Sequence, residues 1–474
     1  MNILLTSIDD SNFKAPSYGL WCLKAHLDCS TEFRGQVDIR PILDEGEASP
    51  FDVMVDHDVF GIQLCIWSEP QLLDLAHRLR TSNPELVILA GGPQVTPQNP
   101  ALMRAIENGV IDLAISGRAE QALLEVLVNI EGKPDRRSSA NEFGPIYSHS
   151  IAEEEISSPI TTSPEFLEAS IDSGRLQLLT SDGCAFQCTY CNMAGNYRAH
   201  SLEHIFQDIA YIREHVDAKK MQVELLDGTF VLNRQRALEI LAELQTLGDD
   251  WTFHAEINIE RLDAQLIEAM ALAGFRSIEI GLQSSNVQTL SRIKRGFFRE
   301  DRFRQNVRLA EEFGIETKVN LIIGLPGESL LDWLTSVDFC GSLGSLAIVS
   351  STLRIFPSTA LFNQVEQFGF DVDPRDGRIH ASSTMPAEQV ERAQCYNMVL
   401  DLLWNPVATR KQIRGLIEES FEGSLAALLC AALQRTAELR ETVEPRELPG
   451  RFLDDLSKAI APNEQEWRKC SQIP

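Results

Sequence analysis

Three cysteines at the spacing C-x3-C-x2-C, Cys184, Cys188 and Cys191, constrain this chain more than any other feature of it. They end the segment LQLLTSDGCAFQCTYCNM (176–193), in which a buried-type strand runs into Gly183 just before the first thiol. Three thiolates on one short loop can converge on one metal centre. Structural zinc takes four ligands, usually as two separated pairs, and no second cysteine pair exists here. The other cysteines, Cys22, Cys29, Cys65, Cys340, Cys395, Cys430 and Cys470, are scattered and read as small buried hydrophobes. A three-thiolate loop suits a four-iron cluster that leaves one iron free for an outside ligand.

Charge narrows the partners. With Asp and Glu totalling 69 against 42 Lys and Arg, the formal net charge is −27. A grip on nucleic acid needs clustered Lys and Arg facing phosphates, and anionic membrane surfaces make the same demand. Neither partner is expected. No apolar run reaches the ~18 residues of a transmembrane helix. The N-terminus MNILLTSIDD lacks a basic n-region, so it does not read as a signal peptide. A cytoplasmic location is expected.

The pattern divides the 474 residues into four parts. Residues 1–130 alternate short apolar strands with amphipathic stretches, which predicts an α/β domain of Rossmann or flavodoxin type with an open parallel sheet. Residues 131–172, rich in Ser, Pro and acids, read as a linker. Alternation restarts at 173 and runs to 365 as six strand–helix units, short of the eight of a closed barrel. Asp263 and Ser329 read as helix N-caps, and Gly274 and Gly314 as helix stops. Residues 366–474 read as mostly helical, with Tyr396, Asn397 and Trp404 either lining the barrel mouth or packing in a core.

CAFQCTYC after a buried strand, in a six-unit β/α run, resembles the radical S-adenosylmethionine superfamily, over roughly 175–365. The resemblance implies a partial (β/α)6 TIM-type barrel and a [4Fe-4S] cluster on Cys184, Cys188 and Cys191. S-adenosylmethionine would chelate the free iron through its amino and carboxylate groups. A low-potential donor such as flavodoxin or ferredoxin would supply the electron that cleaves it to methionine and a 5′-deoxyadenosyl radical. LLDGTF places Asp227 and Gly228 where the family's glycine-rich motif holds the methionyl amine, without that motif's closing Glu. FHAEIN, IGLQSSN, IKRG and NLIIGLPGE follow the order seen in oxygen-independent coproporphyrinogen oxidase and its relatives. By that match Glu256 and Arg295 contact the methionyl part, and Gln283 and Asn320 the ribose, Asn320 standing where the relatives have Asp. Gly324, Pro326 and Gly327 would shape a loop making backbone contacts to adenine. The chemistry is suitable, since a carboxylate takes an ammonium, an Arg a carboxylate, and amides a pair of hydroxyls.

The first 130 residues resemble the cobalamin-binding-type domain fused to many radical S-adenosylmethionine enzymes. The Asp-x-His-x-x-Gly motif that supplies an axial histidine is absent, the relatives' GGPH reads Gly91-Gly92-Pro93-Gln94, and their acidic GEGE element reads Gly117-Arg118-Ala119-Glu120. His57 and His77 lie in no matching motif. The resemblance implies a cobalamin surface of Ser68, Gly91, Gly92, Gln94 and Gly117, without a histidine on cobalt. The other reading is a relic domain used for shape or partner contact. The leading expectation is a radical enzyme that abstracts hydrogen from a small molecule, natural products included, with rearrangement, dehydration or epimerisation to follow. Cobalamin-dependent methyl transfer is the alternative, and a non-catalytic Fe–S sensor or assembly protein the reading from another class. Methylthiolation of tRNA would need a further N-terminal cysteine set and a basic module, which this chain lacks.

Overall fold

Consecutive residues of the first strands bury opposite faces, and the architecture follows from that. In this computed structural model residues 1–9, 17–43, 57–149, 156–217 and 220–439 are described, apart from 297 and 345. The acidic run Glu153–Glu155 and the last 35 positions, 440–474, Cys470 among them, lie outside the described residues. Six parallel strands, β1 (Ile3–Thr6), β2 (Val37–Ile39), β3 (Val59–Gln63), β4 (Val87–Gly91), β5 (Leu113–Ile115) and β6 (Ile146–Tyr147), form the first sheet. Their order is β2-β1-β3-β4-β5-β6. Ile3, Leu5, Val87 and Leu89 join one core, while Leu4, Phe60, Ile88 and Ala90 join another on the opposite face. Helices α1 (Tyr18–Cys29), α2 (Glu69–Ser82), α3 (Pro100–Glu107) and α4 (Glu120–Ile130) make the crossovers. The chain leaves β1 toward β2 on one side and returns to β3 on the other. That reversal opens a crevice beyond the C-terminal ends of β1 and β3.

The segment 131–172 departs from the expected linker. Arg136–Asn141 is helical, β6 adds the sixth strand of the first sheet, and helices Pro159–Thr162 and Pro164–Ser173 lead to the second. A two-residue strand has no periodicity to read, because its pairing with β5 is what defines it.

The second sheet holds six parallel strands in sequence order, β7 (Arg175–Leu178), β8 (Met221–Leu225), β9 (Trp251–Ile257), β10 (Phe275–Gln283), β11 (Glu316–Ile323) and β12 (Ala347–Thr352). The helices between them begin and end largely where their caps dictate. Asp263 accepts from Leu266 N at 2.9 Å, Ser329 and Asp332 form a capping box, and Gly274 ends its helix at φ 102°. Leu176, Val223, Phe253, Ile278, Val319 and Ile348 pack into the helical shell. The C-terminal helices Ala387–Val399, Val407–Ser420 and Leu425–Leu439 join the same core through Tyr396, Ile413 and Leu428, as does Trp404 between the first two. Trp404 donates from Nε1 to Leu346 O at 3.0 Å, so it and Tyr396 serve packing. No helix among the described residues is long and apolar enough to cross a membrane.

Candidate active site

The residues that alternate with this apolar set face the concave side of the second sheet. Register pairs Gln177 with Glu224, Glu224 with His254 and His254 with Ser277 across β7–β10. One layer further, Glu256 pairs with Glu279 and Glu279 with Lys318, and then Gly281 with Asn320. Polar residues at alternate positions of otherwise apolar strands are costly to bury unless they bond to something, so this face is built for polar contacts. Asn320 Nδ2 donates to Glu279 Oε1 at 2.5 Å. His254 Nδ1 lies 2.8 Å from the Ser277 hydroxyl, and its Nε2 3.8 Å from Glu279 Oε2. His254 beside it holds the Glu279 carboxyl below its ordinary value against the opposing effect of burial, with Asn320 helping. Burial, then the Glu279 charge, pushes the Glu256 carboxyl up.

At the C-terminal end of this face a cavity collects most of the expected residues. Cys184, Cys188, Cys191, Gly228, Glu256, Gln283, Arg295 and Asn320 all line it. Phe186, Tyr190, Met193, Thr229 and Glu279 line it as well, and no motif reading had singled them out. The cysteine loop is fastened at several points: Thr189 N donates to Ile293 O at 2.9 Å, Leu361 N to Thr189 O at 2.8 Å, and Gly195 N to Phe186 O at 3.1 Å. A Cβ on Gly228 would meet Cys184 Cβ at 3.1 Å, so glycine lets that strand end close on the loop. Arg295 donates to Gly281 O from Nε at 3.1 Å and brings Nη1 to 3.6 Å from Cys188 Sγ. Gln283 sits at φ 72°, where the β10–β11 register shifts. A non-glycine residue held there stores strain on the order of 1–3 kcal/mol, a common mark of a functional position.

Among the described residues no three His, Cys, Asp or Glu side chains close around one point as a single ion requires. Three free thiols spaced along one cavity wall suit instead a cluster whose irons each take one thiolate.

Three expected cofactor contacts stand elsewhere. Asp227 is buried and turned away from the cavity: its carboxylate accepts from Thr180 N at 3.0 Å, the Thr180 hydroxyl at 2.6 Å and the Ser181 hydroxyl at 2.5 Å. It clamps the strand end that leads into the cysteines. Gly324 and Pro326 do not line the cavity, and Gly324 lies tight against the Ile379 side chain. The next carboxyl on that loop, Glu328, is fully buried, and burial pushes it up to about 8 despite the Ser284 hydroxyl. A carboxyl raised in the folded state contributes stability below its unfolded pKa that is lost as pH rises through the folded one. From pH ~4.5 to ~8 this removes on the order of 3–5 kcal/mol. Glu328→Gln should therefore flatten the decline of the denaturant midpoint between pH 5 and 8.5, and equal pH slopes in both proteins would contradict the assignment.

The crevice of the first sheet opens into another cavity, called the first after its sheet, as the cysteine-lined one is called the second. Gly91, Gly92 and Gly117 are on its rim, with Leu5, Ile62, Leu89 and Ile115 from the strands and Leu20 and Leu123 from α1 and α4. Leu179 and Asp182 of the barrel complete it. Ser68 and Gln94 lie behind its surface: Ser68 bonds within its turn to Cys65, and Gln94 is 1% exposed with neither side-chain amide atom hydrogen-bonded. His57 pairs with Asp38 at 3.3 Å and His77 is exposed, so neither reaches this space.

Residues 178–340 match the model of the Radical SAM superfamily, and they form a radical SAM domain. The chain is 24% identical over 328 residues to an uncharacterized methyltransferase of Pyrococcus horikoshii, covering 65% of this chain and 69% of that one. It is 22% identical over 395 residues to the cobalamin-dependent radical SAM methyltransferase TokK of Streptomyces tokunonensis, covering 74% and 54%. Three further curated relatives are matched over less than half of their own length. Among solved structures, the cobalamin-dependent S-adenosylmethionine radical enzyme OxsB with aqua-cobalamin and S-adenosylmethionine bound superposes with a TM-score of 0.64 at 17% identity, over 97% of this chain and 75% of that one. That likeness extends the shared fold across both domains.

Proposed function

We propose that this chain, a radical SAM domain joined to a cobalamin-binding-type domain, transfers a methyl group from S-adenosylmethionine to a small-molecule acceptor with the help of cobalamin. The observation that carries the reading is that two cavities share one wall: residues 179–184 run from Leu179 and Asp182 in the first to Cys184 in the second. The relatives' names point the same way, which favours the methyl-transfer alternative over hydrogen abstraction with rearrangement.

When bound, the cluster and S-adenosylmethionine supply one-electron cleavage chemistry, and cobalamin supplies a carrier for the methyl group. Cys184, Cys188 and Cys191 would hold the cluster. Glu256 and Arg295 are set to take the methionyl ammonium and carboxylate, and Gln283 and Asn320 the ribose hydroxyls. Gly91, Gly92 and Gly117 would let the backbone approach cobalamin closely, and the unpartnered Gln94 amide would meet a polar group once that loop adjusts. The electron would come from a low-potential donor protein in the cytoplasm.

Glu256→Ala should weaken S-adenosylmethionine binding by roughly tenfold to 150-fold, the loss of a charge-assisted hydrogen bond of about 1.5–3 kcal/mol, and Gln283→Ala by roughly twofold to tenfold, the loss of a neutral one of about 0.5–1.5 kcal/mol, with iron content unchanged in both. Unaltered affinity in both variants would contradict their placement. The reading itself is tested by incubating the reduced, cluster-loaded chain with S-adenosylmethionine and hydroxocobalamin. Cobalamin-dependent release of S-adenosylhomocysteine is expected. Release of 5′-deoxyadenosine alone, indifferent to cobalamin, would return the hydrogen-abstraction reading to first place.

A further inference from the structure

Arg118 stands where the two cavities meet. It follows Gly117 beyond β5, where its side chain lines the first cavity beside Asp182. Its Nε and Nη2 donate to Glu120 Oε1 at 3.1 and 2.9 Å, and its Nη1 donates to Asp182 Oδ2 at 2.9 Å. Asp182 belongs to the hairpin strand Ser181–Cys184, which pairs with Gly195–Ala199 around the cysteine loop. Arg198 Nη2 and His200 Nε2 each come within 3.3 Å of the same carboxylate oxygen. From the other side Asp227 grips Thr180 and Ser181, and its neighbour Gly228 lines the second cavity.

The strand that ends in Cys184 is thus pinned between a cation from the first domain and a carboxylate from the second. Glu120 is buried and Asp182 partly so. Moving the guanidinium alone would leave the buried Glu120 short of its counter-charge and take from Asp182 its shortest ion pair, leaving Arg198 at 3.3 Å, which is expensive at low exposure. Arg118 and the Asp182 strand are therefore constrained to shift together.

We propose that Arg118 is a positioning residue that couples the two cavities, so that cobalamin in the first changes the affinity of the second for S-adenosylmethionine through Asp182. This rests on the cofactor assignment above. Coupling of this kind is reciprocal, and its usual size is a factor of about 5 to 150 in affinity.

The test is the S-adenosylmethionine dissociation constant of the cluster-loaded full chain, measured by equilibrium dialysis with and without saturating hydroxocobalamin. In the unaltered protein the two constants should differ by about fivefold or more. In Arg118→Met the ratio should fall to near one while the variant keeps its iron and still takes up hydroxocobalamin. Asp182→Asn, which keeps the shape and removes the charge, should behave alike. A ratio of one in the unaltered protein, or a full ratio in both variants, would overturn the coupling while leaving the cofactor assignment standing. Loss of iron from both variants would mark a purely structural clamp and overturn it too. An unaltered protein that takes up no cobalamin would sink the cofactor assignment, and the coupling with it.

Discussion

Replacing Cys188 by alanine should reduce the reconstituted iron from about four atoms per chain to under one and abolish the resonance of the reduced cluster. The thiol is 5% exposed on the wall of the second cavity, with Arg295 Nη1 3.6 Å from its sulfur. Its loop is held by backbone bonds to Ile293 and Leu361, so the remaining two thiols have no slack to recruit another ligand. Cys340 provides the contrast. It is fully buried in the helix Leu330–Gly341 and does not line the cysteine cavity, as suits a core residue rather than a thiolate ligand. Cys340→Ala should keep the iron at a modest cost in stability. Full iron in Cys188→Ala would refute the cluster site.

Gly183→Ala should unseat the cysteine loop nearly as completely, for a steric reason. Gly183 has φ 62°, and a Cβ there would stand 2.6 Å from Gly195 O and 2.7 Å from Asn196 O. Both obstacles are backbone of the paired hairpin strand and cannot rotate away. A loss of about 3 kcal/mol or more is expected, with most of the iron. Gly174 has a similar φ of 68° but open space around its Cβ position, so Gly174→Ala should cost only about 1 kcal/mol and leave iron binding intact. Equal denaturant midpoints for the two variants would contradict this account of the hairpin.

The contrast between those glycines shows what a sequence can and cannot disclose here. Local chemistry was readable: Asp263 and Ser329 cap their helices as their positions suggest. Glu256, Gln283 and Asn320 came from the resemblance to the family's motifs, and they meet the cysteines in one cavity. Glu279, in IEIGLQ, lines the same cavity but matched no motif. Asp227 misled because a strand-end acid looks the same whether it faces a ligand or a backbone. Its direction is decided by Thr180 and Ser181, 47 and 46 residues away. Gly324 is placed by packing against Ile379, and Arg118 by an acid 64 residues on in another domain. Tertiary pairings of this kind leave no period in the sequence.

The most direct measurement is a count of metals. The chain should be reconstituted anaerobically with iron and sulfide, incubated with hydroxocobalamin and passed through gel filtration before analysis. About four irons and one cobalt per chain are predicted, with the cobalt still bound in Cys188→Ala because its cavity belongs largely to the first domain. A full complement of iron with no retained cobalt would contradict a cobalamin-dependent methyl transfer.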